Sequence, residues 1–365
     1  MRVLAITPAF APQIGGIEQV VQELAIRIGC LGHDVEVAHV SPAHRRLAVE
    51  QMGPLVVHRV PLLGHRLLGW APALKPLAQR FDLLHVHDPQ LMAITANVRW
   101  LCHDKPAVLS THGGFRHTQQ LSAFKRLHER WTLRGMLDHY RLVLASSEGD
   151  LQQFSAYSSR VVLCSNGVAT DKFGVVPLDE DRSLHRWIYW GRLSRNKRVD
   201  QLIATVALAR ELGHHIDLLI CGRDFDGLAA ALQSQVIALG LEDRVHFRSH
   251  MSDAELLQEL RHRGVYATAS EHEGFGLSIV EAMAAGLQVV CRDMSPLNGF
   301  VQARRTGCFL TFDHAAHDAQ TLQSWLVSDA AQRSLARQQA RADVQRYSWG
   351  AAAQQFEARL AEALQ

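Results

Sequence analysis

Glu273 and Glu281 mark the two ends of the chemistry in EHEGFGLSIVEAMAAG, with Gly274, Phe275 and Gly276 directly after the first. Glycines there let the backbone approach a ligand. The run from Leu277 predicts a helix whose opening N–H groups and positive dipole end favour a diphosphate. Glu281 then falls in the first turns of that helix, where a carboxylate can accept hydrogen bonds from ribose hydroxyls, and Glu273 lies on the loop within reach of a sugar. A surface helix with a capping carboxylate is the plainer reading of the same pair. In YWGRLSRNKRVDQLI, Arg192 and Lys197 follow a strand and precede a helix, so both cations can converge on one anion. A departing nucleoside diphosphate needs its growing charge neutralised, and where no metal does so the work falls to Arg, Lys and backbone donors. Arg195 and Arg198 in the same loop read as solvated charge.

Two weaker features lie nearer the start. VLSTHGGFRH places His112 at the end of a buried strand, ahead of Gly113 and Gly114; its ring can donate or accept, which suits holding a sugar hydroxyl. With 21 histidines in the chain, His112 without its glycines would be an ordinary core histidine. PAFAPQIGGIEQV puts Gly15 and Gly16 at the opening of the first helix, where a phosphate or the transferred sugar can come close, although a tight turn explains the same pair.

These residues need strands and helices to hold them. Short apolar runs at 3–7, 35–40, 83–87, 107–112 and 141–147 alternate with helical stretches, a βαβ rhythm that predicts an α/β fold with a parallel sheet. Between the first two runs, Ile17, Val20, Val21, Leu24 and Ile28 share one helical face and Gly32 stops the helix. After Asn166-Gly167 the pattern loosens through Pro177 and the acidic Asp179-Glu180-Asp181, a linker expected at 168–185, before WIYWGRL restarts it with strands at 216–222, 244–248, 265–270 and 288–293. The division expected is 1–167 and 168–347, with a last helix at 348–365 packing back on the first domain. Two such sheets would face across a cleft lined by the loops that follow their strands.

Length and composition agree. At 365 residues the chain is long for one core, and 47% hydrophobic with 20% charged residues is ordinary globular usage. A net charge of +2 is too small to imply nucleic acid binding. The six cysteines are scattered without a CxxC pair, so neither a zinc site nor a disulfide framework is indicated. No secretion signal opens the sequence, and no apolar run is long enough to span a bilayer.

Taken together, GGIE, STHGGFRHT, SSEGD, SNGVATDKF, GRLSRNK, LLICGRD, EHEGFG through Glu281 and the closing YSW resemble the family 4 retaining glycosyltransferases of the GT-B fold along nearly the whole chain. STHGGFRHT, SSEGD and HEGFG are similar in particular to the α-mannosyltransferases that use GDP-mannose to extend lipid-diphosphate-linked cellobiose in exopolysaccharide assembly. The resemblance implies two Rossmann-like domains. It places Arg192 and Lys197 on the donor diphosphate, Glu281 on the ribose, Glu273 and His112 beside the transferred sugar, and Gly15 and Gly16 along the diphosphate and acceptor side. Gly274, Phe275, Gly276 and Leu277 would complete the donor loop, with Gly222, Arg223, Asp224 and the segment from Phe247 to Met251 bordering the base. It also implies retention of configuration by front-face attack, with the leaving phosphate helping to deprotonate the acceptor, no dedicated protein base, and no metal or other cofactor. The sequence departs from the family at Arg198, where a glycine is usual, and at Ser295 to Val301, where a GG-x-x-E is common. Both lie near the donor.

The partners expected are a nucleotide-sugar, a polyprenyl-diphosphate-linked glycan and the anionic inner face of the cell membrane, to which a cytoplasmic enzyme would attach peripherally. Segment 116–141 carries Arg116, Lys125, Arg126, Arg130, Arg134 and Arg141 among Leu121, Phe124, Leu127, Trp131 and Leu133, which fits either a lipid-facing amphipathic helix or a domain helix with solvated arginines. LLGHRLLGWAPAL at 62–74, with Trp70, is a second lipid-contact expectation against core or loop packing. Competing readings are a UDP-sugar donor or soluble acceptor, another GT-B enzyme such as a sugar-nucleotide epimerase or phosphorylase, and a non-catalytic relative. A Rossmann oxidoreductase is disfavoured because the first turn lacks G-x-G-x-x-G.

Overall fold

Alternation along each strand decides how the two sheets are buried. In β1 (Arg2–Thr7), Leu4 and Ile6 enter one apolar cluster while Ala5 enters another on the opposite face. In β9 (Arg186–Trp190), Trp187 and Tyr189 enter one cluster and Ile188 the other. Each sheet is covered on both faces, as a parallel sheet requires. The computed structural model describes residues 1–13, 15–88, 91–112, 132–177, 182–303 and 305–365, and these form two units, Met1–Gly167 with Trp349–Gln365, and Val168–Ser348.

Besides β1, the first unit contains β2 (Asp34–Ser41), β3 (Ala48–Met52), β4 (Leu55–Pro61), β5 (Leu83–His87), β6 (Ala107–Ser110), β7 (Leu142–Ala145) and β8 (Val161–Leu163). Among the described residues the order is β3-β4-β2-β1-β5-β6-β7-β8, parallel except where β3 runs against β4. Helix Gly16–Cys30 buries Val20, Val21, Leu24, Ala25 and Ile28, with Ile17 half-buried. The closing helix Trp349–Glu362 packs on it, where Glu357 meets His33 at 3.2 Å. The second unit adds β10 (Asp217–Cys221), β11 (Val245–Arg248), β12 (Val265–Ala267), β13 (Gln288–Cys291) and β14 (Gly307–Phe309), in the all-parallel order β11-β10-β9-β12-β13-β14.

In both sheets the strand order reverses at one place, between β1 and β5 and between β9 and β12. The connections leaving those neighbours run to opposite sides, which opens a crevice beyond their carboxyl ends.

One detail differs from the sequence reading. Residues 168–177 are not a loose linker: Phe173 and Val176 are buried, and Phe173 stacks on Trp190 at 6.3 Å. At the end of the basic segment, Leu133 and Leu137, the latter on helix Arg134–Leu137, are buried, which fits the domain-helix alternative there. The rest of that segment, 116–131, lies outside the described residues, as do Gly113, Gly114 and the acidic Asp179-Glu180-Asp181. Among the described residues no helix is long and apolar enough to cross a membrane.

Candidate active site

In the second unit the loops after β9 and β12 meet at the reversal point. Lys197 Nζ donates to Glu273 Oε1 at 2.5 Å, an ion pair whose side chains are only 16% and 11% exposed. Beside it the Glu271 N–H donates to the Asn196 carbonyl at 2.9 Å, and Asn196 Nδ2 reaches the His272 carbonyl at 3.4 Å. Ser194 Oγ donates to Asn196 Oδ1 at 2.8 Å and fixes that side chain. Two loops from distant parts of the sequence are thereby fastened as one wall.

Arg198 closes the first loop in the left-handed region, with φ 46° and ψ 47°. That conformation costs an ordinary residue about 1–2 kcal/mol and explains why glycine suits the position. Here the guanidinium is engaged instead, donating to Asp200 at 3.1 and 2.9 Å and to Glu271. Arg198 is thus a structural tie, directed onto neighbouring carboxylates, and the departure from the family's glycine is absorbed locally.

Arg192 is exposed, with its guanidinium carbon 4.9 Å above the Phe225 ring, and its carbonyl accepts the Tyr189 hydroxyl at 2.8 Å. Buried Tyr189 and Tyr266 stack at 6.4 Å beneath this surface. Burial raises the Tyr189 hydroxyl pKa, the Glu273 carboxylate raises it further, and Arg192 opposes. Burial likewise raises the Tyr266 hydroxyl, with Tyr189, Glu273 and Glu281 adding to the effect. Arg192, Glu273 and Glu281 therefore all act on one tyrosine pair, and Lys197 is bonded to Glu273, so these four groups share one neighbourhood.

Glu281 lies on helix Leu277–Ala284, which follows Gly276 at φ 90°. Its carboxylate accepts from the Trp190 indole at 3.1 Å. Burial pushes its pKa up to about 7, against the Trp190 hydrogen bond and the Lys172 charge, with Asp253 adding to the rise. Trp190 itself, at the end of β9, is a partner that the sequence reading missed.

The remaining donor-loop residues divide. Gly274 is half-buried. The Phe275 side chain turns into the core, edge-on to Phe300 and Tyr347 at 5.2 and 5.8 Å, so its backbone is what it offers a ligand, while half-buried Leu277 packs on the same cluster. Gly222 is required by contact, because a Cβ there would lie 1.8 Å from the Gly191 carbonyl oxygen. Its N–H is already given to the Arg248 carbonyl at 2.9 Å. Arg223 is exposed, and the Asp224 carboxylate caps the Leu228 and Ala229 N–H groups at 2.8 and 3.0 Å.

In the first unit, Gly15 and the exposed Gly16 begin the helix after β1 at that sheet's reversal point. His112 follows β6, buried, with φ 50°, and its Nε2 is 2.9 Å from His87 Nδ1. The rings stack at 5.1 Å, and one must carry the proton that the other accepts. Burial lowers the His112 pKa to about 4. His87 and its neighbour His85 are also held neutral by burial, with the nearby imidazoles adding to the effect. Thr111 donates to Asp150 at 2.8 Å, and Ser146 does the same. SSEGD therefore anchors the residue before His112, while Ser147 caps the helix that follows. Among the described residues no group of three or more His, Cys, Asp or Glu is arranged to hold a metal ion.

The model for "Glycosyl transferases group 1" matches residues 183–343, and that for "Glycosyltransferase Family 4" matches residues 14–172. The GDP-mannose:cellobiosyl-diphosphopolyprenol alpha-mannosyltransferase of Komagataeibacter xylinus is 30% identical, over 98% of this chain and 92% of that protein. An enzyme of the same description from Xanthomonas oryzae pv. oryzae is 28% identical, over 96% and 93%. The Anabaena protein HepE, solved with UDP, superposes with a TM-score of 0.78 over 99% of this chain and 100% of its own, at 19% identity, a likeness of fold.

Proposed function

Because the chain belongs to the family 4 glycosyltransferases of the GT-B fold, we propose that it moves mannose from GDP-mannose onto a lipid-diphosphate-linked oligosaccharide. The observation that carries the donor half is the fastened pair of loops at the second sheet's reversal point, with Lys197, Glu273, Arg192 and Glu281 around Tyr189 and Tyr266. The mannosyl and lipid-diphosphate half rests on the relatives from Komagataeibacter and Xanthomonas.

In this reading Arg192 and Lys197 take the diphosphate, assisted by the opening of the helix that begins at Leu277, and Glu281 takes the ribose. Glu273 sits beside the sugar, and His112 of the first unit serves a sugar hydroxyl. The bond from the anomeric carbon to the phosphate oxygen breaks as the acceptor oxygen bonds to the same face of that carbon. The acceptor proton passes to the leaving phosphate, so no side chain is assigned as base. Charge on the departing GDP is balanced by the two cations and backbone donors rather than by a metal. In the same reading the protein works peripherally at the cytoplasmic face of the cell membrane, where it would meet a lipid-linked acceptor.

The test is thermal protection by GDP-mannose, UDP-glucose and UDP-N-acetylglucosamine added separately, since a ligand that binds the folded state raises its melting temperature. GDP-mannose alone should do so, and transfer should persist in EDTA. Protection by a UDP-sugar alone overturns the mannosyl assignment, and loss of transfer in EDTA overturns the charge assignment.

A further inference from the structure

Between β4 and helix Leu74–Ala78 the chain makes a small closed loop that holds apolar side chains in solvent. Leu63 and Trp70 exchange backbone hydrogen bonds at 2.8 and 2.9 Å, and the Leu68 N–H turns back to the His65 carbonyl at 3.0 Å. The loop is tied to helix Ala93–Leu101 by Asn97, 1% exposed, whose Oδ1 accepts from the Ala71 N–H at 2.7 Å and whose Nδ2 donates to the Gly69 carbonyl at 2.9 Å. One turn on from Asn97, Trp100 meets Trp70 with ring centroids 6.4 Å apart. Leu63, Leu68, Trp70 and Trp100 are nevertheless 59%, 72%, 40% and 60% exposed. A buried amide and two backbone pairs fix an arrangement that water alone would disfavour, and such patches mark binding surfaces.

The charge around the patch identifies the occupant. Residues 51–81 and 91–103 contain Arg59, Arg66, Lys75, Arg80 and Arg99 and no Asp or Glu. Arg59 and Arg80 pair with Glu50 and Glu36, and Arg99 borders Gly135 and His139, which leaves Arg66 on the loop itself, with the exposed Lys75 on the helix that follows. Paired indoles whose N–H groups can stay wet, leucines, and a loop that carries Arg66 and no Asp or Glu of its own match the boundary between headgroups and acyl chains of an anionic bilayer. We propose that Leu63, Leu68, Trp70 and Trp100 form the face by which this protein rests on an anionic membrane. The inference deepens the reading of a lipid-linked acceptor and rests on it for its biological purpose, although the two fail separately.

Flotation of the full chain with phosphatidylcholine vesicles, with and without phosphatidylglycerol, tests it. The wild type should float only with the anionic vesicles, less at high salt, with tryptophan emission shifted to the blue and quenched by brominated lipid. W70S/W100S, and independently L63S/L68S, should lower the partition coefficient about tenfold or more while keeping the wild-type melting temperature. Leu335→Ser, at a 69% exposed leucine of the second unit, should change nothing. Flotation of both patch variants like wild type overturns the proposal. So does a wild type that ignores anionic vesicles but forms a dimer lost in W70S/W100S, which would make a second copy the occupant. Transfer to a lipid-linked acceptor in detergent, with flotation unaffected by the patch, removes the proposal and keeps the acceptor reading. Patch-dependent flotation with transfer only to lipid-free acceptors does the reverse.

Discussion

Lys197 and Glu273 neutralise each other at 2.5 Å while both are mostly buried, so each substitution has two effects. Lys197→Met removes the proposed diphosphate ligand and also strands a carboxylate, at about 1–3 kcal/mol of stability. The double variant K197M/E273Q should recover most of the lost stability in denaturant melts and none of the activity. Full recovery of transfer would mean that the pair is structural. Arg192, which pairs with no carboxylate among the described residues, should lose about 10²–10³-fold in kcat as Arg192→Ala at nearly unchanged stability. Glu281 gives the site a pH signature. Its carboxyl is pushed up to about 7 from an ordinary 4.5, so the folded state holds its proton where the unfolded state has released it. That stability is fully present below about 4.5 and is lost as pH rises to about 7. A carboxylate accepting ribose hydroxyls must be ionised, so GDP affinity should tighten from pH 6 to 8 in the wild type and stay flat in Glu281→Gln, as titration calorimetry can read. Arg192 and Glu273 could be singled out because charge beside glycine in a strand-to-helix loop has few structural uses, and Lys197 and Glu281 because they share those two loop-and-helix segments. His87 and Trp190 were not, because inside LLHVH and WIYWG they read as strand core, and only the register shows that their polar atoms meet His112 and Glu281.

At the level of loops and strands, the site depends on how closely β9 and β10 end together. A methyl at Gly222 would strike the Gly191 carbonyl oxygen at 1.8 Å. Gly222→Ala must therefore part the two strand ends and carry Arg192 with them. We expect a loss of about 1–3 kcal/mol, a fall of several degrees in melting temperature, and a drop in kcat although no ligand group is removed. Arg198→Gly sets a contrast, since glycine relieves the left-handed backbone while forfeiting bonds to Asp200 and Glu271. The two effects oppose, so stability should stay within about 1 kcal/mol and transfer should survive; loss of transfer would make Arg198 a donor ligand. The βαβ rhythm was readable because parallel strands buried on both faces are continuous apolar runs. The hairpin of β3 and β4 escaped because β3, AVEQM, is an exposed edge with no such run. Residues 168–177 looked like linker because Phe173 and Val176 are too short a pattern to declare a core, and only their packing under Trp190 and helix Leu277–Ala284 shows it.

Across the whole molecule the two units share a winding pattern but carry opposite buried ionisations. The first holds His39 at about 4, His85 at about 3 and His112 at about 4, all lowered chiefly by burial, with His87 lowered as well. An unfolded histidine titrates near 6.5. Below that the unfolded chain takes protons that the folded unit refuses, and stability fully present above about 6.5 is lost as pH falls, by about 2 kcal/mol at pH 5 for each histidine that stays neutral. The second unit has Glu281 working in the other direction, against a smaller lowering at His185. The exposed carboxylates held below their ordinary range, Asp82, Asp104, Asp224, Glu255 and Asp313, stay ionised through this window in both states and do not contribute. Hydrogen exchange at pH 7.5 and 5.5, corrected for intrinsic rates, should therefore show protection falling in β5 and β6 while β9 and β12 hold theirs or gain. The chain crosses between units twice, at 167–168 and 348–349, where Val168 pairs with Tyr347 and Ser348. If those paired crossings made the two units unfold as one, all four strands would lose protection together on acidification, and the opposition between the units would have no thermodynamic expression.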